Sequence, residues 1–381
     1  MRKNGRSAAG SQRWKCIACA ITYTFSRTDL QEQAIFAGFM DYVLGKNAQF
    51  EVDGTATGRS ARRRFGWCWN VPTPPLEVTG EIYDQLFIDG THLAYGWVLL
   101  TAVNEHGQVV ARQWATSENA PAYEALLAGL PAPKLITCDG AAGGLKAIHQ
   151  VWGKDAPSIQ RCLLHVHRNN IVDLTQRPKT NAGKALKGLS HRLLGVRTTE
   201  AAAHWMVLLD QFHTQYGAWL NERTYARDDP DEARRRGKFK PTQWWYTHGR
   251  DRRVYSRLAR LNKQRMLFNF LAVQPGEILH ATTNIAESVN ARIKAVSYHH
   301  RGLSEPHLLT AIDWALYYRW IDPKAPKEIY NQWNKTGRPQ RRIIPKTQPQ
   351  QHHRIGPARY DNHTIAEEGL WARKGWGGRW G

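Results

Sequence analysis

The chain has 381 residues, and 53 Lys and Arg against 32 Asp and Glu leave a net charge of +21. With 42% apolar and 10% aromatic residues it can fill a core, which excludes a disordered chain; no run of 18 apolar residues exists, so no membrane span is expected. The charge excess points to a polyanionic partner, most often nucleic acid, with a basic enzyme lacking such a partner as the plainer alternative.

The N-terminus, MRKNGRSAAGSQRWK, has basic residues but no apolar core of a secretory signal. Five scattered cysteines, an odd number, argue for a reducing compartment, so a cytoplasmic location is expected. Cys16 and Cys19 make a Cys-x-x-Cys turn, half of a structural zinc site that needs four ligands. Residues 28–79 follow as a helical region. LQEQAIFAGFMDYVL reads as a helix, and GRSARRRFGWCWN places Arg62, Arg63 and Arg64 on a short basic helix after Gly58. This is a helix-turn-helix pattern or a solvated basic helix. VPTPP marks a linker.

From residue 80 the pattern changes. QLFID, GWVLLTAV and VVARQWAT read as strands, the last two joined by the turn signal NEHG. PAYEALLAGL reads as a helix, KLITCD as a buried strand, GGLKAIHQVW as a helix and SIQRCLLH as one more strand. The order β-β-β-α-β-α-β predicts a mixed α/β sheet, the element order of a ribonuclease H-like core. Residues 166–280 read as almost wholly helical, with Trp205, Leu208, Leu209, Phe212, Tyr216 and Trp219 on one face. The stretch 234–265 carries twelve Lys and Arg against one Asp, interleaved with Trp244, Trp245, Tyr246 and Tyr255. Its basic groups, Arg252 and Arg253 among them, suit phosphate contact; its aromatics suit either base stacking or a core. Residues 281–334 return to helices, and 335–381 form a basic tail rich in Pro, Gln and Gly.

Three acids stand out by position. Asp89 closes QLFID, Asp139 closes KLITCD, and Glu287 opens a helix in TTNIAESVNARIK. Carboxylates at the carboxyl ends of strands, joined by one from a helix, can hold two hard divalent cations. Asp-Gly is also a common turn signal. The succession FIDGTH, TCDGAAGGLKAI, QRCLLHVHRN and TTNIAESVNARIK resembles bacterial insertion-sequence transposases of the Mutator-like DDE superfamily. Cys162-x-x-His165, the frame Asn284-x-x-Glu287-x-x-Asn290, His300-Arg301-Gly302-Leu303 and the closing WARKGWGGRW are similar to motifs of that group, over roughly residues 12 to 378.

The resemblance implies a ribonuclease H-like catalytic core (80–165 and 281–334) interrupted by a helical insertion (166–280). Asp89, Asp139 and Glu287 would be catalytic ligands of two Mg²⁺ or Mn²⁺ ions, with Cys162 and His165 a signature pair. Double-stranded DNA, both terminal inverted repeats and target, would be the partner, bound by a dimer or larger assembly without a nucleotide cofactor. Arg62, Arg63, Arg64, Trp244, Trp245, Arg252, Arg253, Asn284, Asn290, His300 and Arg301 are candidates for DNA contact. Residues 1–27 resemble the second half of a zinc ribbon, so the chain is expected to be short at its N-terminus, with Cys16 and Cys19 a vestigial pair not expected to hold zinc tightly.

Overall fold

A computed structural model describes residues 1–8, 10–24, 28–54, 58–76, 79–271, 279–320 and 322–341. The closing WARKGWGGRW and most of the basic tail lie outside the described residues. The chain divides into two compact units: Met1–Pro75 with Arg292–Ile344, and one centred on Leu76–Ala291.

The first unit opens with β1 (Arg2–Arg6), β2 (Gln12–Lys15) and β3 (Thr22–Thr24), an antiparallel sheet in that order. Cys16 and Cys19 lie in the turn between β2 and β3, where Ala20 adopts φ 58°, a conformation that favours glycine. The two expected helices follow as α1 (Thr28–Leu44) and, beyond the short α2 (Gln49–Asp53), α3 (Arg59–Phe65). Gly58 begins α3 at φ 59°, and a Cβ there would lie 2.9 Å from Gln49 and Phe50, so glycine is needed for both conformation and space.

The second unit is built on β4 (Gln85–His92), β5 (Val98–Asn104), β6 (Val109–Ala115), α4 (Ala120–Leu127), β7 (Leu135–Cys138), α5 (Ala142–Trp152) and β8 (Ser158–Arg161). The sheet runs β6-β5-β4-β7-β8; β4 pairs antiparallel with β5 and parallel with β7. This is the mixed α/β sheet expected. Asn104 closes the β5–β6 hairpin, its Oδ1 accepting the N–H groups of His106 and Gln108, and Gly107 supplies φ 77°. Asn119 caps α4 by accepting the Ala122 N–H at 3.0 Å. Leu86, Ile88, Leu100 and Ile136 on one face of the sheet are buried with Tyr123, Ala147 and Ile148 of α4 and α5.

Two strand ends differ from expectation. β4 does not stop at Asp89: its parallel ladder to β7 ends at Ile88 opposite Cys138, but its antiparallel ladder to β5 continues to His92 opposite Val98. SIQRCLLH is not one strand either. The sheet ends at Arg161, and Cys162 becomes the cap of α6 (Leu163–Leu174). The Cys162 N–H still reaches the Cys138 carbonyl at 2.9 Å, while that of Leu163 turns to Ala281.

The insertion continues with α7 (Asn181–Leu194), α8 (Thr199–Leu220), β9 (Arg223–Tyr225), α9 (Pro230–Arg235), β10 (Trp244–Tyr246) and α10 (Gly249–Lys263). Thr180 and Thr198 cap α7 and α8 by accepting first-turn N–H groups. Trp205, Leu209 and Phe212 are buried with Leu186, Leu193, Val254 and Leu258; Leu208, Tyr216 and Trp219 only border that core. The Trp205 indole N–H donates to the Leu189 carbonyl at 2.9 Å. The region is therefore less helical than expected, because Trp244–Tyr246 pairs antiparallel with Arg223–Tyr225. Aromatic and Thr side chains suit a pleated ribbon, and a helical period does not register a partner strand some 20 residues away in sequence.

The chain then forms α11 (Asn284–His299), α12 (Glu305–Tyr317) and α13 (Pro326–Lys335). In the first unit aromatic rings make the core: Phe39 meets Trp69 edge-on at 4.7 Å, and Phe36 meets Trp314 edge-on at 5.8 Å. Such pairs add about 0.5–1.5 kcal/mol each beyond their buried area. Among the described residues no helix is long and apolar enough to cross a membrane.

Candidate active site

The register of two strands assembles the site. Because Ile88 is the last β4 residue opposite β7, and its partner is Cys138, Asp89 and Asp139 are the next residues on neighbouring parallel strands. Asp89 Oδ1 accepts its neighbour Gly90's N–H at 2.9 Å, and Asp139 Oδ1 accepts that of Ala141 at 2.8 Å. From α11, Asn290 Nδ2 donates to Asp89 Oδ2 at 2.7 Å. Glu287 lies one turn earlier on the same helix face.

The electrostatics are those of crowded, enclosed carboxylates. Burial, and next the charge of Asp139, raise Asp89 to about 8. Asp139 is raised foremost by its enclosure, with the Ala141 N–H opposing and the charge of Glu118 reinforcing the shift. Around Asp89 the buried Thr91 Oγ1, Thr101 Oγ1 and Asn290 Oδ1 have no partner among the described residues; Thr101 is the cross-strand partner of Asp89. Asp89 and Asp139, with unused buried oxygens beside them, are a donor set suited to hard divalent cations, which take oxygen ligands and relieve like-charge repulsion; among the described residues, however, Glu287 is gathered with Cys162 and His165 rather than with the two aspartates.

A second cluster holds Glu287. Cys162 Sγ accepts from the Thr283 N–H at 3.3 Å and from its hydroxyl at 3.2 Å. The same hydroxyl lies 3.3 Å from Glu287 Oε1. His165 Nε2 and Arg168 Nη1 approach that oxygen at 4.0 and 3.9 Å. Burial would raise the Cys162 thiol, but hydrogen bonds from His165 and Thr283 override it and lower its pKa. Burial would likewise lower His165; the Cys162 contact and the charges of Asp89 and Asp139 raise it to about 9. The pairing thus makes the Cys162 thiol easier to ionise and the His165 imidazole harder to deprotonate. Cys162, His165 and Glu287 have ligand atoms within 4.8 Å of one another, although the sulfur is already occupied by hydrogen bonds.

Two further side chains complete the surroundings, and the sequence reading missed both. Arg161, at the end of β8, donates to the Asp139 carbonyl, and a Cβ on Gly140 (φ 89°) would overlap its guanidinium. Glu118, just before α4, lies so close to Gly90 that a Cβ there would sit 2.2 Å from its Oε1. Glu118 also contacts His92 at 3.3 Å and Tyr123 at 3.5 Å. The Gly after Asp89 was the available signal, read as a turn when it is a vacancy that admits a carboxylate.

The remaining candidates are placed elsewhere. Trp244 and Trp245, half-buried in β10, have rings covered by Arg223 at 4.0 Å and Arg236 at 5.2 Å, and Arg252 lies 3.7 Å over Tyr246. They are neither core residues nor bare stacking faces. Arg253 pairs with Asp173 at 3.0 Å. Asn284 begins α11 and lines a cavity of about 300 Å³ with Arg197, Phe270 and His280. In the first unit, Arg62, Arg63 and Arg64 are exposed on α3, while His300 is buried, its Nε2–H donating to the Val43 carbonyl at 3.0 Å. Cys16 has its pKa lowered, chiefly by the Cys19 N–H. Comparison with family models, curated proteins and solved structures finds no match.

Proposed function

We propose that the chain is a DNA transposase of the DDE type, cutting element ends and joining them to target DNA by phosphodiester hydrolysis and transesterification. The observation that carries the reading is the register: Asp89 and Asp139 side by side where the β4–β7 ladder stops, with α11 presenting Asn290 to Asp89 and Glu287 one turn away. The sheet order, three antiparallel strands followed by two parallel ones joined through helices, supports a ribonuclease H-like core.

In this reading Asp89, Asp139 and Glu287 hold a pair of Mg²⁺ or Mn²⁺ ions. When bound, such ions activate the attacking water or 3′-hydroxyl and stabilise the leaving oxygen. The protein's own contribution is orientation. Asn290 fixes one oxygen of Asp89, the Ala141 N–H fixes one of Asp139, and Thr283 with His165 and Arg168 restrains Glu287. The net charge of +21 favours a DNA partner, both terminal repeats and target.

The test is nicking of a duplex carrying the element's terminal repeats with Mg²⁺. Wild-type protein is expected to cut and to yield strand-transfer products, and Asp139→Ala to do neither. Undiminished cutting by that variant refutes the assignment; cutting without strand transfer by the wild type favours a structure-specific nuclease on the same scaffold.

A further inference from the structure

Arg62 is far in sequence from the adjacent pair His300 and Arg301, yet in the first unit all three line one cavity of about 600 Å³. Its wall includes Trp69, Phe50 and His307, with Trp69 and His307 stacked at 4.2 Å and 13°. None of its described lining residues is acidic. Arg301 is laid over the Tyr298 ring at 4.0 Å, which restricts the guanidinium to few orientations. Gly302 (φ 86°) turns the chain into α12, whose cap Ser304 makes no side-chain cap bond.

His300 gives the cavity a second kind of recognition. It is 4% exposed, and burial lowers its pKa, so the ring is neutral. With Nε2–H committed to Val43, Nδ1 is an acceptor, and it has no partner among the described residues. A buried acceptor left unpaired is costly, and a ligand N–H would satisfy it.

We infer that this cavity binds a single unpaired nucleotide of a DNA strand, with its phosphate against Arg62 and Arg301 and its base against the exposed ring of Phe50, within reach of His300. The cavity, about 600 Å³, is in the size range of small-molecule sites and large enough for one nucleotide. Guanidinium groups bind phosphate in forked geometry, and aromatic walls accept a base of any sequence. This rests on the nucleic-acid reading and deepens it, since it assigns the first unit an unpaired strand rather than groove contact alone.

The experiment measures binding of full-length protein to a duplex with a short single-stranded overhang, the same duplex with abasic overhang residues, and the blunt duplex. Arg62→Gln with Arg301→Gln, both on exposed side chains, is checked for folding by its melting curve. The double variant is expected to lose about tenfold in overhang affinity and to flatten the log–log salt slope by about 1.4, at about 0.7 per lost single-strand contact. Abasic residues are expected to weaken wild-type binding by about fivefold or more. Overhang affinity within twofold of wild type in the double variant, or an equal loss on overhang and blunt duplexes, overturns the proposal. So does equal binding of abasic and intact overhangs, which leaves only an anion site, as does complete displacement by inorganic phosphate at low millimolar concentration. Asp139→Asn separates this from the catalytic reading, because it is expected to keep overhang binding while losing cleavage.

Discussion

Replacing Gly90 with Ala tests the carboxylate packed beside the strand that carries Asp89. A Cβ at this position meets Glu118 Oε1 at 2.2 Å, Glu118 Cδ at 2.6 Å and Leu100 Cδ2 at 3.1 Å. The Glu118 carboxylate must therefore move by about 1 Å to regain van der Waals distance. The motion is available because this is the far end of a flexible side chain, 22% exposed. What is lost is the 3.3 Å contact with His92, itself 51% exposed, together with the long contact to Tyr123. Such a solvent-screened pair contributes under about 1 kcal/mol, and a small adjustment at Leu100 brings the total cost to about 1 kcal/mol. For a unit of this size that is a fall in Tm of about 2–4 °C. The assay is a double-mutant cycle by thermal denaturation with Gly90→Ala, Glu118→Ala and both. In the Glu118→Ala background the added methyl meets no carboxylate, so its cost is expected to fall to the small adjustment at Leu100 alone, a few tenths of a kcal/mol. A cost of the same size in both backgrounds refutes the packing argument.

The pH dependence of the metal-free protein follows from Asp89. Its pKa in the folded state, about 8, lies above its ordinary value of 3.8, so between those limits the folded state holds the extra proton. Stability is then expected to fall as pH rises from about 4 to about 8. Asp89→Asn is expected to flatten the thermal-denaturation profile and added Mg²⁺ to raise its alkaline side; an identical slope in wild type and variant sinks the assignment. In the insertion, Trp205→Ala removes a fully enclosed ring and the donor to Leu189, a loss of about 3–5 kcal/mol. Chemical denaturation checks it, and a loss under about 1 kcal/mol contradicts the burial described for that helix face.

Much of the second unit was legible because its determinants are local. Alternating apolar runs, NEHG before a return strand, and the apolar spacing of PAYEALLAGL dictate where strands turn and helices form, whatever surrounds them. The two aspartates were visible for the same reason, as acids closing apolar runs, although β4 continues past Asp89 to His92. The ends of β4 and β8 were not legible, because a strand lasts as long as its neighbour's ladder, and β4 has two neighbours that stop at different residues. The β9–β10 ribbon escaped likewise, since its pairing joins residues about 20 apart.

Within the site, chemistry-bearing residue types can be read from the chain, but their company cannot. Glu118 is one acid among 32 until the fold sets it over Gly90, and Thr283 is an ordinary hydroxyl until it bridges Cys162 and Glu287. The amino-acid order alone settles the charge, the succession of strands and helices in the mixed sheet of the second unit, and the acids that close its apolar runs, because each depends on residues close together. Only the tertiary structure decided which carboxylates share a field, which buried oxygens lack a partner, and that Arg62 and Arg301 line one cavity. Proximity between distant residues is created by long-range packing, which no local pattern encodes.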